Sequence, residues 1–376
     1  MKDYCKMSTY RLKDFVNPVA VTVQNPANSG YERFVGLEHY DSGELVVKRY
    51  SGVELLTTNA KAFQKNDILI ARRNVYLRRA GVVYFDGITS GDSIVLRVKE
   101  DCKKQTGIDR ELAQKMLPLV LNTDKFWIYA NKHADGMNSK RISKDALMDY
   151  EFDLPSLEEQ KVLADKLWAA YKVKESYRQL LTATDDMVKA KFQNMFGEVE
   201  QITLSDLCDI TMGTSPDSAY YNSSKEGLPF YQGKTEFGEL YIGDAEIYCT
   251  QPIREAEKND VLMSVRAPVG AVNLAKERCC IGRGLCALRA KENVSEYMFI
   301  FYALALKEAE IERLGTGSTF KAINKDQVYK IPMPSISIEE QQEFVTIATQ
   351  AEATKASLRE SIASIDRVIR SIINQQ

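Results

Sequence analysis

The stretch "SLEEQ" at residues 156–160 returns as "SIEEQ" at residues 337–341, and this repeat decides the architecture. With an offset of 181 residues, the segment 141–160 lies over 322–341 without a gap. In each copy a Ser is followed three residues later by a Glu, which is the capping-box pattern of a helix N-terminus. Prolines just upstream (Pro155; Pro332 and Pro334) stop the helix from extending backwards. The sequence therefore predicts two helix starts of one design.

A ladder of residues spaced alternately by four and three positions follows each start, as in a coiled coil. The spacer positions are Leu163, Leu167, Tyr177, Leu181 and Val188 in the first ladder, and Phe344, Leu358, Ile362, Ile365 and Ile369 in the second. A helix from Glu158 to Phe196 would be roughly 58 Å long at 1.5 Å per residue, which suits a spacer rod. Both ladders carry a Lys at the same step, Lys174 and Lys355, which favours helices that pack on each other. The alternative is two amphipathic helices in separate domains.

The segments upstream of the two helices also repeat, more loosely. "NDILIARRNV" (66–75) matches "NDVLMSVRAPVG" (259–270), and "GDSIVLR" (91–97) matches "GRGLCALR" (282–289). Alternating apolar residues with Gly, Asn and Pro between them predict strands and turns. We therefore expect an α+β protein with a pseudo-twofold internal repeat: a module at 1–156, a long helix at 157–197, a second module at 198–337 and a second long helix at 338–376.

The composition is that of an ordinary globular protein, with 44% hydrophobic and 27% charged residues. The N-terminus lacks the apolar core of a signal peptide, and the longest apolar run, "YMFIFYALAL" (297–306), is too short to span a bilayer. Seven cysteines without a CxxC and only two histidines argue against a zinc site and for free thiols in a reducing cytoplasm. We expect a cytoplasmic protein without a metal site.

No catalytic pattern stands out. The sequence has no GxGxxG fingerprint, and "GLPFYQGKT" (227–235) has the wrong glycine spacing for a P-loop. Two histidines outside any motif do not support a catalytic triad. The net charge is −2, although residues 1–150 hold 24 Lys and Arg against 18 Asp and Glu. If DNA is the ligand, a partner must supply part of the contact with the phosphates.

Three stretches carry a family resemblance: "ITMGTSPDSAYYNSSKEGLPFYQGKTEFG" (210–238), "SVRAPVGAVNLA" (264–275) and "GTGSTFKAINKDQVYKIPMPSISIEEQ" (315–341). With the repeat of module and helix, the chain resembles the specificity (S) subunit of type I restriction–modification systems. The resemblance implies that each module, a target-recognition domain, reads one half of a split site in double-stranded DNA. It also implies that the helices pair as an antiparallel coiled coil that fixes the gap.

The resemblance implies the partners as well. Two methyltransferase (M) subunits would dock on this chain and methylate adenine with S-adenosylmethionine, and restriction (R) subunits would add ATP- and Mg-dependent translocation and cleavage. The S subunit itself holds no cofactor and no catalytic centre, in agreement with the lack of a catalytic motif in the sequence.

Base reading favours Arg, Lys and Gln side chains, with hydroxyl groups on the phosphates. The candidate DNA-binding residues are Arg72, Arg73, Arg78, Lys140 and Arg141 in the first module, and Tyr220, Gln232, Lys234, Arg266, Ser318, Thr319 and Lys321 in the second. Lys140 and Lys321 correspond at the offset of 181.

Several candidates have an alternative role. Arg266 could hold the turn before Pro268, Tyr220 could pack in the core, and the loop "GTGSTFK" (315–321) could contact an M subunit. Side chains alternate in direction along a strand, so at most one of Arg72 and Arg73 would face DNA.

Two other functions fit the pattern. The chain could be the recognition subunit of a related type II system, which the partner's identity would reveal. It could also be a coiled-coil scaffold for proteins, in which case no DNA methylation depends on it.

Overall fold

The computed structural model describes residues 7–137, 139–316 and 321–374. The chain divides into two compact units, unit 1 with residues 1–178 and 360–376, and unit 2 with residues 179–359. Each unit combines one mixed module with a segment of each of two long helices, α6 (Leu157–Phe196) and α11 (Ile338–Asn374).

Two four-stranded sheets form the module of unit 1. The strands are β1 (Ser8–Arg11), β2 (Val16–Val19), β3 (Thr22–Val23), β4 (Phe34–Val35), β5 (Ala60–Phe63), β6 (Ile68–Ala71), β7 (Ala80–Val82), β8 (Gly87–Thr89), β9 (Ser93–Val98), β10 (Ala134–Asp135), β11 (Arg141–Ile142) and β12 (Glu151–Leu154). The sheet orders are β2-β9-β6-β7 and β3-β5-β8-β4, with the short pairs β1-β12 and β10-β11 beside them. The helices are α1 (Leu12–Phe15), α2 (Cys102–Thr106), α3 (Arg110–Val120), α4 (Asp124–Lys132) and α5 (Lys144–Met148).

The module of unit 2 repeats this plan. Its strands are β13 (Gln201–Thr203), β14 (Cys208–Met212), β15 (Tyr221–Asn222), β16 (Leu228–Tyr231), β17 (Tyr248–Cys249), β18 (Glu255–Ala256), β19 (Val261–Ser264), β20 (Val272–Leu274), β21 (Cys279–Ile281), β22 (Leu285–Ala290) and β23 (Pro332–Pro334). The sheets run β14-β22-β19-β20 and β15-β17-β16-β21-β18, with the pair β13-β23 beside them. The helices are α7 (Leu204–Leu207), α8 (Tyr297–Leu306), α9 (Glu308–Leu314) and α10 (Lys325–Tyr329).

An ion pair between a buried Asp and a more exposed Arg explains the repeated "ND" and "R" of the sequence. Arg97 donates through two nitrogens to Asp67 at 2.7 Å each, and Arg289 donates to Asp260 at 2.9 and 2.7 Å. Each Asp also caps the preceding turn, whose Asn lies in the left-handed region at φ 71° in both copies. Because a bidentate pair has one good geometry, it holds β6 on β9 and β19 on β22 in equivalent places.

Both long helices begin with the predicted capping box. Ser156 accepts from the Glu159 N–H at 3.4 Å, and Glu159 accepts from the Ser156 N–H at 3.1 Å. The second copy has the same reciprocal pair between Ser337 and Glu340, at 3.3 and 2.9 Å. The reciprocal bonds satisfy N–H groups that a helix start otherwise leaves unpaired.

The two helices run antiparallel within each unit. In unit 1 Lys174 on α6 bonds Asp366 near the end of α11, at 2.6 Å. In unit 2 Lys355 on α11 bonds Asp185 on the second half of α6, also at 2.6 Å. The two ion pairs are equivalent under the 181-residue offset, which shows why the same ladder step is polar in both helices. The predicted α+β architecture with two modules and two long helices is confirmed.

The predicted spacer residues lie on the inner side of the helices. Leu167 and Ile369 are buried in the core of unit 1, and Phe344 is buried in that of unit 2. Leu358 is also buried, and the remaining spacer positions are half-buried: Leu163, Tyr177, Leu181, Val188, Ile362 and Ile365. The ladder therefore faces protein along both helices.

Candidate DNA interface

A backbone bridge joins two of the predicted cationic segments in unit 1. Arg73, just after β6, pairs with Arg141 at the start of β11. The Ile142 N–H donates to the Arg72 carbonyl at 3.0 Å, and the Asn74 N–H donates to the Lys140 carbonyl at 2.8 Å. Segments 66 or more positions apart in the order of the chain are thus held side by side.

The same bridge exists in unit 2. Arg266, just after β19, pairs with Ala322. The Ile323 N–H donates to the Val265 carbonyl at 3.0 Å, and the Ala267 N–H donates to the Lys321 carbonyl at 2.9 Å. Arg73 and Arg266 therefore occupy equivalent places, as do Lys140 and Lys321. We call the two bridged segments the basic edges of units 1 and 2.

The basic edge of unit 1 contains one carboxylate, Asp92. Arg141 Nε donates to Asp92 Oδ1 at 3.0 Å, and an Arg73 nitrogen lies 3.5 Å from Oδ2. Burial of Asp92 acts against ionisation, but the hydrogen bond and charge of Arg141, with those of Arg73, lower the pKa of Asp92 below its ordinary value. The ionised Asp92 fixes the direction of two guanidinium groups, and Arg73 Nε also donates to Ser139 Oγ at 2.7 Å.

The basic edge of unit 2 has fewer charged side chains than that of unit 1, and its Arg is not held by a described carboxylate. Gly284 stands where unit 1 has Asp92, because its carbonyl accepts from the Val265 N–H as that of Asp92 accepts from the Arg72 N–H, both at 2.9 Å. The exposed Arg266 guanidinium has no hydrogen-bond or ion-pair partner within the described part of the chain. Ala322 replaces Arg141, so this edge presents Arg266 and Lys321 without a fixed carboxylate.

A glycine turn brings Gln232 close to this edge. A Cβ on Gly284 would lie 2.2 Å from the Gln232 carbonyl oxygen, and one on Gly282 would lie 3.1 Å from the Gln232 Cα. Only glycine lets these backbones approach so closely. The Gln232 side chain is exposed there, which is the disposition that amide readout of a base edge requires.

Other predicted residues lie apart from the basic edges. The exposed Arg78 pairs with Asp124 and lines a cavity against the long helices, and the half-buried Lys234 lines a cavity of the same kind in unit 2. Arg72 is half-buried beside Lys61, whose pKa is lowered by burial and by that neighbouring charge. Tyr220 is 37% exposed at the end of a short 3₁₀ turn. Ser318 and Thr319 lie outside the described residues.

The sequence reasoning missed Asp92, Ser139 and Gly284. Asp92 and Gly284 both lie in the repeated segments "GDSIVLR" and "GRGLCALR", so the alignment of the two copies held the signal. Their part in the basic edges depends on the strand register, which the alignment alone does not give.

Among the described residues, no group of three or more His, Cys, Asp or Glu side chains is arranged to hold a metal ion. The six described cysteines are buried and free. No described helix combines the length and apolarity needed to cross a membrane.

Comparison with known families decides which family carries this repeated geometry. Residues 6–181 and 197–367 match the family of type I restriction modification DNA specificity domains. The chain belongs to this family. Its two matches correspond to the two repeats of module and helix.

Similar proteins and solved structures agree with this family assignment. The "Putative type I restriction enzyme MjaX specificity subunit" of Methanocaldococcus jannaschii is 31% identical over 261 residues, which are 63% of this chain and 61% of that protein. The chain thus covers about three fifths, 61%, of this curated relative. A chain from a structure on complex assembly and conformational transition of the type I R-M system is 27% identical, with TM-score 0.63 over 98% of this chain and 97% of that one. The S subunit from M. genitalium shares the fold, at 14% identity and TM-score 0.55 over 99% of this chain and 96% of that one.

Proposed function

We propose that this chain is the non-catalytic specificity subunit of a type I restriction–modification complex. The observation that carries the proposal is the pair of equivalent basic edges, one in each unit, formed by the same backbone bridge. A protein with an internal twofold repeat suits a DNA site with two separated halves, because each repeat meets one half. Each module reads one half-site, and the long helices set the distance between the halves.

The two edges differ in the side chains that would read DNA. Unit 1 presents Arg73 and Arg141 held by Asp92, whereas unit 2 presents Arg266 and Lys321 near Gln232. Bidentate Arg contacts favour guanine, and Gln favours adenine, so unlike edges favour unlike half-sites. An asymmetric split sequence is therefore expected.

The partners follow from the family. Two M subunits would dock on this chain, bind S-adenosylmethionine and methylate adenine in each half-site. R subunits would bring ATP and Mg for translocation and cleavage. The complex would work in the cytoplasm, with the chromosome. A net charge of −2 fits a chain that shares the contact with the phosphates with such partners.

The test is co-expression with the partner methyltransferase subunit, followed by modification-sensitive sequencing of the host DNA. Methyladenine at one split motif, lost when this chain is omitted, supports the proposal and reads both half-sites together. If the assembled complex leaves no split motif methylated, the proposal is wrong and a protein scaffold becomes the better interpretation. A partner that carries methylation and cleavage in one polypeptide would indicate a type II system.

A further inference from the structure

The modules meet the long helices through a second repeated feature, the sequences "SGEL" (42–45) and "FGEL" (237–240). Val46 forms a parallel bridge with Val82, and Tyr241 forms the same bridge with Leu274. Glu44 and Glu239, each two residues before the bridge, are therefore equivalent. The 181-residue offset also relates an Arg and a Lys on the helices beside them: Arg178 and Lys174 in unit 1, and Arg359 and Lys355 in unit 2. We call each set of Glu, Arg and Lys a module latch.

The latch of unit 1 is closed. Glu44 Oε1 accepts from Lys174 Nζ at 2.6 Å and from Arg178 at 2.7 Å, and the Glu44 side chain is only 15% exposed. Burial would raise the pKa of Glu44, but the hydrogen bonds from Arg178 and Lys174 lower it to about 2. Lys174 also bonds Asp366, so one buried ammonium ties the module to both helices.

Three neighbours support the closed latch. The Tyr171 ring lies 5.7 Å from Lys174 Nζ and 5.1 Å from Lys48 Nζ, and its hydroxyl reaches Glu44 at 3.5 Å. Lys48, on the module, also pairs with Glu175 on the helix. Cation–π contact and the second ion pair add to the attachment of the module.

The latch of unit 2 is open. Glu239 is 74% exposed, and within the described part of the chain its one ion pair is with Arg359, at 3.2 Å. Lys355 bonds Asp185 at 2.6 Å and Glu352 at 2.7 Å, and it makes no described bond to Glu239. An exposed ion pair is screened by water and salt and contributes little, whereas a buried one is costly to break.

The sequence explains the difference. Glu352 stands at the place of Tyr171 and pairs with Lys355. Gly243 stands at the place of Lys48, and Ala356 at that of Glu175, so unit 2 lacks the second ion pair between module and helix. All three supporting side chains of unit 1 are therefore missing.

The space between module and helices differs accordingly. In unit 2 a cavity of about 890 Å³ lies there, lined by Leu240 and Phe301 of the module and by Lys355 and Ala356 of the helix. The cavity in the corresponding place of unit 1 is about 560 Å³. Among the described residues, the larger cavity thus lies beside the latch with fewer ion pairs between module and helix.

We propose that Glu44 and Glu239 are positioning residues that fix the angle of each recognition module on the long helices, firmly in unit 1 and loosely in unit 2. The module of unit 1 keeps one orientation. The module of unit 2 samples several orientations, because its latch holds a single ion pair among the described residues and that pair is exposed. The proposal concerns the free chain, and only its consequence for DNA rests on the proposed function.

Distances between spin labels test the proposal in the full chain. One label pair joins module and helix in unit 1 (Arg49→Cys with Asp165→Cys), and an equivalent pair does so in unit 2 (Asp244→Cys with Thr346→Cys). The described cysteines are buried, and Cys5 is replaced by Ser, so the introduced thiols take the labels. We expect the distance distribution of unit 2 to be at least about twofold wider than that of unit 1, since weakly held states interconvert. Equal widths would overturn the proposal.

Variants make the test specific. Glu44→Gln should widen the distance distribution of unit 1 about twofold, because the variant loses the contact that favours one module orientation over the others. Glu151→Gln, which removes an exposed ion pair with Arg11 in the same module, should leave the width unchanged. An unchanged width with Glu44→Gln in a chain of native circular dichroism would contradict the inference.

A variant that narrows the distance distribution cannot be explained by damage to the fold. Gly243→Lys, Glu352→Tyr and Ala356→Glu together install the supporting residues of unit 1 in unit 2. This triple variant should narrow the distribution of unit 2 to about that of unit 1. If it folds and the distribution stays wide, the latch does not set the angle and the inference is wrong.

Discussion

At the scale of single residues, the two basic edges differ in whether a carboxylate fixes the cations. Asp92 holds Arg73 and Arg141 in unit 1, whereas Gly284 takes its place in unit 2, where no described carboxylate pairs with Arg266. A fixed guanidinium loses less conformational entropy when it binds a base, whereas a free one adapts to the phosphates or the base edge it meets. The two edges should therefore respond differently to substitution.

Arg266→Ala should reduce methylation at the native site and relax the sequence of one half-site only. A base-reading Arg contributes about 1–3 kcal/mol of discrimination, so the preference for the affected base should fall by about tenfold or more. The measurement is modification-sensitive sequencing with the assembled complex. Arg78→Ala is the matched control, because Arg78 pairs with Asp124 away from the edge. Reduced methylation of an unchanged motif would indicate that Arg266 contacts a phosphate.

Asp92→Asn should strengthen binding to DNA of any sequence. Removal of the carboxylate leaves Arg73 and Arg141 unneutralised, so the slope of log K against log salt should steepen by up to about 0.9. Fluorescence anisotropy with the complex over a series of salt concentrations measures the slope. Glu54→Gln removes an exposed carboxylate of the same module and should leave it unchanged. An unaltered slope with Asp92→Asn would place this edge away from DNA.

At the scale of elements, the long helices carry one buried Lys each, and the two are not equally buried. The side chain of Lys174 is 4% exposed between Glu44 and Asp366, whereas that of Lys355 is 11% exposed and its carboxylate partners lie at the surface. A polar step in an apolar ladder fixes helix register, and its removal leaves buried charge without a partner.

Lys174→Met should destabilise unit 1 by roughly 3 kcal/mol, because Glu44 and Asp366 lose a shared partner in a buried place. Both tryptophans of the chain, Trp127 and Trp168, lie in unit 1, so urea unfolding followed by tryptophan fluorescence reports that unit. Lys355→Met is the matched control in unit 2 and should leave this signal unchanged. An unchanged free energy of unfolding of unit 1 with Lys174→Met would contradict the role of this buried ammonium, and equal effects of the two substitutions would show that the signal is not confined to unit 1.

The latch predicts an acid-sensitive step in the stability of unit 1. The pKa of Glu44 is about 2 when folded, against an ordinary value of 4.5, so its contribution is complete above pH 4.5 and is lost as pH falls towards 2. Tryptophan-monitored unfolding across this range should show the loss. Glu44→Gln should be less stable than the wild type at pH 7 and should converge with it at the acid end. A constant difference between the two proteins would refute the pKa assignment.

At the scale of the whole molecule, the specificity of a split site includes the length of its gap. If the module angle contributes to that length, a weakened latch should allow the complex to accept sites with longer or shorter gaps. In the assembled complex, Glu44→Gln should raise methylation of sites with one base pair more or less, relative to the native site, by on the order of tenfold. Glu151→Gln is again the control. Methylation restricted to the native gap in the variant would show that helix length alone sets it, and a wild-type complex that methylates no split site would instead refute the proposed function.

The sequence by itself determined the repeat of module and long helix, both helix starts and the family, because these depend on local signals: capping residues, ladder spacing and prolines. It also identified Arg73, Arg141, Arg266 and Lys321 as candidates from their chemistry. Their use as DNA contacts stays a prediction.

Only the tertiary structure decided which of these residues meet. The bridges from Arg73 to Arg141 and from Arg266 to Ala322 join distant segments through strand register, which residue types do not encode. The sequences "SGEL" and "FGEL" are enough to align the two latches. The buried contacts of the unit 1 latch, however, depend on Lys48 of the module lying next to Tyr171 and Glu175 of the helix. Burial and the choice of charge partner are properties of the packed chain. For this reason two similar sequences form one buried latch in unit 1 and one exposed latch in unit 2.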